Sequence, residues 1–320
     1  MTVPTNTTQT YDIKGIREDL ADMIYMVSPT QTPAVSSFKR ARSYQTKHEW
    51  QTDVLAPAAV NAQIEGDNAT SLPFTATVRL GNYTQIQSKP VQVSGTARAV
   101  REAGRKDELG YQLIKRAKEL KRDMEKAVTA NQASVVGTDS AARYSAGLGA
   151  WIYTNGIANT AAGGANPSDA SGANARTDAT TTTALTEANF KTCLSDIFTA
   201  GGDPNLVLCS ANNKQTFSGF SGNSATRYEE FDKEKLQKLF TAYDIYVSDF
   251  GQLRIVPDRF QRGRDVWVLD TDFWKLAYLR PFTTEPLAKT GDSDQKMMIC
   301  EWTLESSNEQ ASGGVFDTTG

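Results

Sequence analysis

The chain has 320 residues, of which 39% are hydrophobic, 9% aromatic and 22% charged, so wholesale disorder is excluded and a sizeable core is expected. Its 34 basic and 37 acidic side chains leave a net charge of −3, which disfavours a dedicated nucleic-acid binder. No apolar run approaches the roughly 18 residues of a membrane span, and MTVPTNTTQTYDIKG lacks the basic start and apolar stretch of a secretory signal.

In chain order, Ile16, Leu20, Met23, Ile24 and Val27 fall at helical spacing behind Asp12 as N-cap, and Ser28-Pro29 ends the pattern. Such a short amphipathic helix must dock on a body or on a neighbour. From 46 to 98 the pattern predicts a long hairpin with arms of about 15 residues. Its tip is small, polar and acidic. Val78, Leu80 and Ile86 share one parity, with Gly81 or Pro90 as a bulge or phase change. A two-stranded ribbon is marginal alone, so a partner is expected from elsewhere. Arg105 to Val135 carries the strongest helical signal, with Leu109, Leu113, Ala117, Leu120, Met124 and Val128 on one stripe. Its segment from Arg101 to Lys126 holds nine basic and six acidic residues, either a solvated face or the receiver of an acidic partner loop.

Residues 156 to 184 contain one large aliphatic residue and no aromatic, which predicts a flexible loop or surface insertion. A helix capped by Thr186 follows, carrying Phe190, Leu194 and Ile197 and ending at Gly201-Gly202. Lys233–Phe240 reads as helix. Leu206–Cys209, Ile245–Val247, Leu253–Val256, Val266–Leu269, Phe273–Leu279 and Met297–Leu304 read as strands, the last with clear alternation. The class is α+β with long appendages.

Little in the chain promises chemistry. His48 is the only histidine, which removes most metal sites and the usual Ser-His and Cys-His pairs. Cys193, Cys209 and Cys300 sit among apolar neighbours and read as buried hydrophobes. No phosphate-binding glycine loop occurs, and Gly147-Leu-Gly149 reads as a tight turn. Asp270-Thr-Asp272 matches the D-x-D of metal-dependent transferases over only three positions, and a strand-end turn with capping aspartates is the better reading. No catalytic, cofactor or metal residue is assigned.

Five stretches carry a resemblance. They are Asp19-Leu-Ala-Asp-Met-Ile-Tyr-Met-Val-Ser-Pro-Thr30 with Thr32-Pro33, His48-Glu-Trp-Gln-Thr-Asp53, Glu65-Gly-Asp67, Arg143-Tyr-Ser-Ala-Gly-Leu-Gly-Ala-Trp151 and Glu285-Pro-Leu-Ala-Lys-Thr-Gly-Asp292. In this order and spacing the chain resembles the major capsid proteins of tailed bacteriophages with the Hong Kong 97-type fold. The resemblance implies an N-terminal arm (1–47), an extended loop (48–98) and a peripheral domain on a long spine helix (99–150). It further implies an axial domain (151–264, with 156–184 inserted) and a return to the peripheral domain (265–320).

By the same resemblance the chain would be a structural, non-enzymatic protein of the phage head. It would assemble with itself into hexamers and pentamers in the host cytoplasm, enclosing double-stranded DNA without binding it specifically. Further partners would be a portal protein and separate scaffolding and decoration proteins, with no membrane. Candidate inter-subunit contacts are Trp50, Asp53, Glu65, Asp67 and Phe74 on the loop and Arg116, Lys118 and Arg122 on the helix. No long N-terminal segment is expected to be cleaved. The type member of the fold locks its shell through a loop lysine. Here no lysine stands between Gln51 and Ser88, so a non-covalent shell is expected. A non-enzymatic, adhesin-like surface binder and a metal-dependent transferase are the alternatives.

Overall fold

The computed structural model describes residues 28–66, 68, 74, 76–100, 107–220 and 245–319. The helices expected at 11–27 and 233–240 lie outside these residues.

The described chain opens with a short helix, α1 (Pro33–Ser37), whose proline takes the first helical turn, where its missing N–H costs nothing. Strand β1 (Lys39–Arg42) follows, and then a hairpin of β2 (Lys47–Thr52) and β3 (Val78–Tyr83). This pairing runs from Lys47 opposite Tyr83 to Thr52 opposite Val78, so the hairpin is ordered over six residues per arm rather than 15. The parity of the chain changes at Thr84. Its N–H donates to Thr46 O and its hydroxyl to Glu301, and the next strand, β4 (Gln85–Ser94), leaves the hairpin for another sheet. Pro90 is tolerated there because β4 lies at a sheet edge.

After a short helix, α2 (Gly95–Ala99), comes α3 (Glu108–Val128), the long helix of the molecule. Asp107 caps it, accepting from the N–H groups of Leu109 and Gly110. Its 21 residues span about 31 Å, shorter than the sequence pattern suggests. The helix stops at Thr129, whose hydroxyl turns back to Glu125 O, and beyond it Val135 bridges to Tyr144 in extended form. Leu109, Leu120, Met124 and Val128 are buried, as the stripe predicts.

The remainder comprises α4 (Leu148–Trp151), β5 (Gly156–Ile157), α5 (Glu187–Thr199), β6 (Leu206–Cys209), α6 (Ala211–Ser218), β7 (Ile245–Ser248) and β8 (Gly251–Pro257). It closes with β9 (Val266–Leu269), β10 (Trp274–Pro286), β11 (Ser293–Ser306) and β12 (Gly313–Val315). One sheet has the order β1-β10-β11-β4, with the long antiparallel pair β10–β11 at its centre. The other has the order β5-β12-β9-β6-β8-β7 and mixes parallel with antiparallel pairs. A core containing Met124, Val128, Trp151, Trp267, Trp274 and Trp302 joins α3 to both sheets. A second core packs α5 and α6 through Phe190, Leu194 and Phe217 onto the opposite face of the six-stranded sheet. The class is α+β, as the sequence predicts.

Segment 156–184 departs from expectation. It is folded onto the body, with Arg176 and Ala179 buried. Gly172, at φ +72°, lies so close to the Trp151 indole that a Cβ would come within 2.7 Å of it. Small residues here permit close approach rather than mobility.

Candidate inter-subunit surface

The hairpin is anchored at its base. His48 Nε2 lies 3.0 Å from Glu305 Oε2, and Lys275 Nζ donates to Glu305 Oε1 at 2.8 Å. Burial opposes a charge on Glu305, but the bonds from His48 and Lys275 outweigh it and hold the pKa at about 2. The Trp50 ring packs between His48 and Trp151, with centroids 5.7 and 5.4 Å away. Asn82, fully buried, donates to Leu304 O at 2.7 Å and to Ser145 Oγ at 3.1 Å, and accepts from Ala146 N at 2.9 Å.

The tip is bare. Residues 53–66 form no strand, and Leu55 and Val60 are 94% and 98% exposed. Val54, Ile64 and, on the returning limb, Phe74 are exposed as well. Single exposed apolar side chains are ordinary, but a run of large ones on one projection marks a surface meant to be covered. Asp53 is exposed and accepts from the N–H of Val54. Glu65 is exposed beside Gly66, whose φ of +83° makes the turn. Asp67 lies outside the described residues.

The helix candidates divide as well. Arg116 is half-buried and paired with Glu119 at 2.7 Å, and Glu119 also takes Lys89 at 3.5 Å. The Arg122 guanidinium lies 5.8 Å from the centre of the Phe260 ring. Lys118 is exposed and makes no ion pair among the described residues. Among those residues no bond joins Glu65 to Arg116 or Arg122 within the chain. Trp50 and Arg116 are thus spent inside the protomer, whereas Asp53, Glu65, Phe74 and Lys118 face outward.

Two buried clusters went unnoticed in the sequence. Arg176 reaches Asp265 at 3.0 Å, Asp317 at 2.8 Å and Asp178 at 3.1 Å, with its guanidinium 4.3 Å above the Phe316 ring. The side chains of Arg176, Asp265 and Asp317 are fully buried. Arg264 adds a second bond to Asp317 at 2.8 Å, and Arg262 pairs with Asp178. Burial pushes Asp265 up to about 6, against the pull of Arg262 and Arg176. The only signal in the sequence is that Arg176 is the single basic residue between 156 and 184.

The second cluster surrounds Glu125, fully buried on α3. Its carboxyl accepts from the N–H groups of Ala34 at 2.6 Å and Val35 at 2.8 Å, capping α1 from outside the helix. Burial, with Asp258 facing it, raises its pKa to about 8 despite those bonds. Asp258 is raised in the same way, by its own burial.

The remaining chemistry is inert. Burial pushes the thiols of Cys193, Cys209 and Cys300 up to about 12. Asp270 accepts from the N–H of Asp272, which pairs with Lys39 at 2.9 Å, so the D-x-D stretch is a strand-end turn. Among the described residues no group of three His, Cys, Asp or Glu could hold a metal.

Two packed sheets joined by one long helix, with an anchored hairpin carrying a bare tip, form the fold of phage major capsid proteins. Over 99% of its length the chain matches all of a chain from the capsid asymmetric unit of Cyanophage A-1(L), with a TM-score of 0.71 at 14% identity. It also matches, over the full length of both chains, a solved assembly of the major capsid and decoration proteins of phage G, with a TM-score of 0.52 at 10% identity. The SU10 major capsid protein family model covers residues 3–319, and the chain belongs to that family. The major capsid protein of Escherichia phage Phieco32 is 29% identical over 97% of this chain and 96% of its own length. The chain is therefore a structural protein of the phage virion and not an enzyme, which displaces the transferase and adhesin alternatives.

Proposed function

We propose that this chain assembles into hexamers and pentamers that tile an icosahedral head around double-stranded DNA. The observation that carries this reading is the bare apolar tip on a fixed base. A rigid root sets the direction of the projection, and its exposed Val54, Leu55, Val60 and Ile64 need cover that the protomer does not supply. A neighbouring copy supplies it in a head-to-tail contact that closes into rings. In this reading residues 1–47 serve as arm, 48–98 as extended loop, 99–150 with 265–320 as peripheral domain and 151–264 as axial domain. Asp53, Glu65, Asp67 and Phe74 of the loop meet the neighbour. Assembly takes place in the host cytoplasm, with a portal and separate scaffolding and decoration proteins. The pairing of major capsid and decoration proteins in phage G supports the last.

Electron microscopy and size-exclusion chromatography of the purified chain test this. Rings or closed particles are expected from the full chain, and a folded monomer from a variant lacking 56–72. Particles formed without the tip would overturn the role given to it.

A further inference from the structure

One face of α3 carries a large excess of basic side chains. Glu108, Tyr111, Ile114, Lys115, Lys118, Lys121, Arg122, Glu125 and Lys126 fall within about 140° of its circumference, at 100° per residue. Of the two acids in that arc, Glu125 is buried and turned toward α1, and Glu108, in the first turn, accepts from Gln112. Lys115, Lys118, Lys121 and Lys126 are exposed and make no ion pair among the described residues. The helix's acids Glu119 and Asp123 lie on the adjoining flank, occupied by Lys89. Phe260 holds Arg122 in the row. This concentration stands out in a chain whose net charge is −3.

We propose that this face of α3 is a polyanion-binding surface, and that its occupant is the phosphate backbone of the double-stranded DNA that the shell encloses. The inference rests on the shell reading above and adds to it the residues that meet the cargo. Lys115 to Lys126 spans about 16 Å of helix, and duplex DNA offers one phosphate charge per roughly 1.7 Å of its axis, so every cation in the row finds a partner. Lysine ammonium groups are point charges that hold phosphate without reading base sequence. A wall that must later release its genome needs contacts of that kind. The acidic tip of a second copy fits less well. Asp53 and Glu65 would leave most of the row uncompensated, and the apolar side chains around them would face a surface whose one large exposed aliphatic is Ile114.

The test uses the full chain with all four lysines replaced (Lys115→Gln, Lys118→Gln, Lys121→Gln, Lys126→Gln), exchanges that keep helix propensity. A control replaces Lys39, Lys191, Lys289 and Lys296 by Gln, removing equal charge elsewhere. Binding of a 30-base-pair duplex is followed by fluorescence anisotropy between 50 and 300 mM salt, and particle formation by electron microscopy. The quadruple variant should assemble normally and lower the slope of log K against log salt by about 3 to 4, with the control moving it by less than about 1. Equal slopes for variant and control would overturn the inference and leave the shell reading intact. Loss of particles with duplex binding retained would overturn it too, by assigning the face to another copy. No particles from the wild-type chain would instead count against the shell reading. Should the quadruple variant lose helical circular dichroism, the pair Lys115→Gln with Lys118→Gln decides, with a slope change of about 2 expected.

Discussion

Residues 53–66 and 156–184 look alike in the sequence, both rich in small and polar residues and poor in aromatics. In the folded chain they are opposites. Segment 156–184 is bound to the body by the pairing of β5 with β12, by backbone bonds such as Ala179 N–H to Asp317, and by a buried arginine that ties it to Asp265 on the approach to β9 and to Asp317 near the end of the chain. Tip 53–66 carries several large apolar side chains, and they stay in solvent. Apolar content therefore does not decide which segment is held. Polar groups with buried partners, Arg176 above all, weigh more, because losing the partners of a buried charge is far more costly than exposing a leucine.

The largest expected effect comes from removing that anchor. Arg176→Ala leaves Asp265 and Asp317 buried without their shared cation, which should cost about 3–5 kcal/mol in denaturant unfolding. A cost below about 1 kcal/mol would mean that the segment is as loosely held as the tip. Glu125 is the comparable anchor for the start of the described chain. Between pH 4.5 and about 8 the folded chain keeps a proton on Glu125 that the unfolded chain gives up. Stability from this group is therefore full below pH 4.5, falls as pH rises through that window, and is flat above it. The whole change should be about 5 kcal/mol, of the same order as the Arg176 loss, and Glu125→Gln should remove most of the slope.

A smaller loss is expected at the hairpin base. His48→Ala takes one bond from the Glu305 carboxylate and should cost about 1–2 kcal/mol at neutral pH. The stabilisation from Glu305 is present above pH 4.5 and lost as pH falls toward 2, so acid should erase much of the difference between variant and parent. At the tip, Leu55→Ser with Val60→Ser should change the unfolding free energy of the unassembled chain by less than about 0.5 kcal/mol while abolishing particles. A large loss of monomer stability there would show that the tip packs within its own chain. The smallest effect is none at all. With no lysine between Gln51 and Ser88, mature particles boiled in detergent should run as one band near 34.9 kDa, and a ladder resistant to reducing agent would place a covalent lock elsewhere.

Much of the architecture follows from local order along the chain. The cap at Thr186, the stripe on α3, the alternation from Met298 to Leu304 and the burial of the three cysteines are set by neighbours a few residues away. Such periodicities are visible in the sequence because they repeat at 3.6 or 2 residues. The five stretches quoted for the resemblance likewise carried the class of protein. What only the tertiary structure decided lies at long range. Arg176 meets Asp317 across 141 positions, Asn82 meets Leu304 O across 222, and Glu125 caps a helix 91 positions before it. The departure of β4 from the hairpin to pair with β11 is of the same kind. A single polar residue that finds its partner through the fold leaves no period behind. The hairpin therefore reads as longer than it is and the 156–184 segment as looser, because only the packed chain satisfies Thr84 and Arg176.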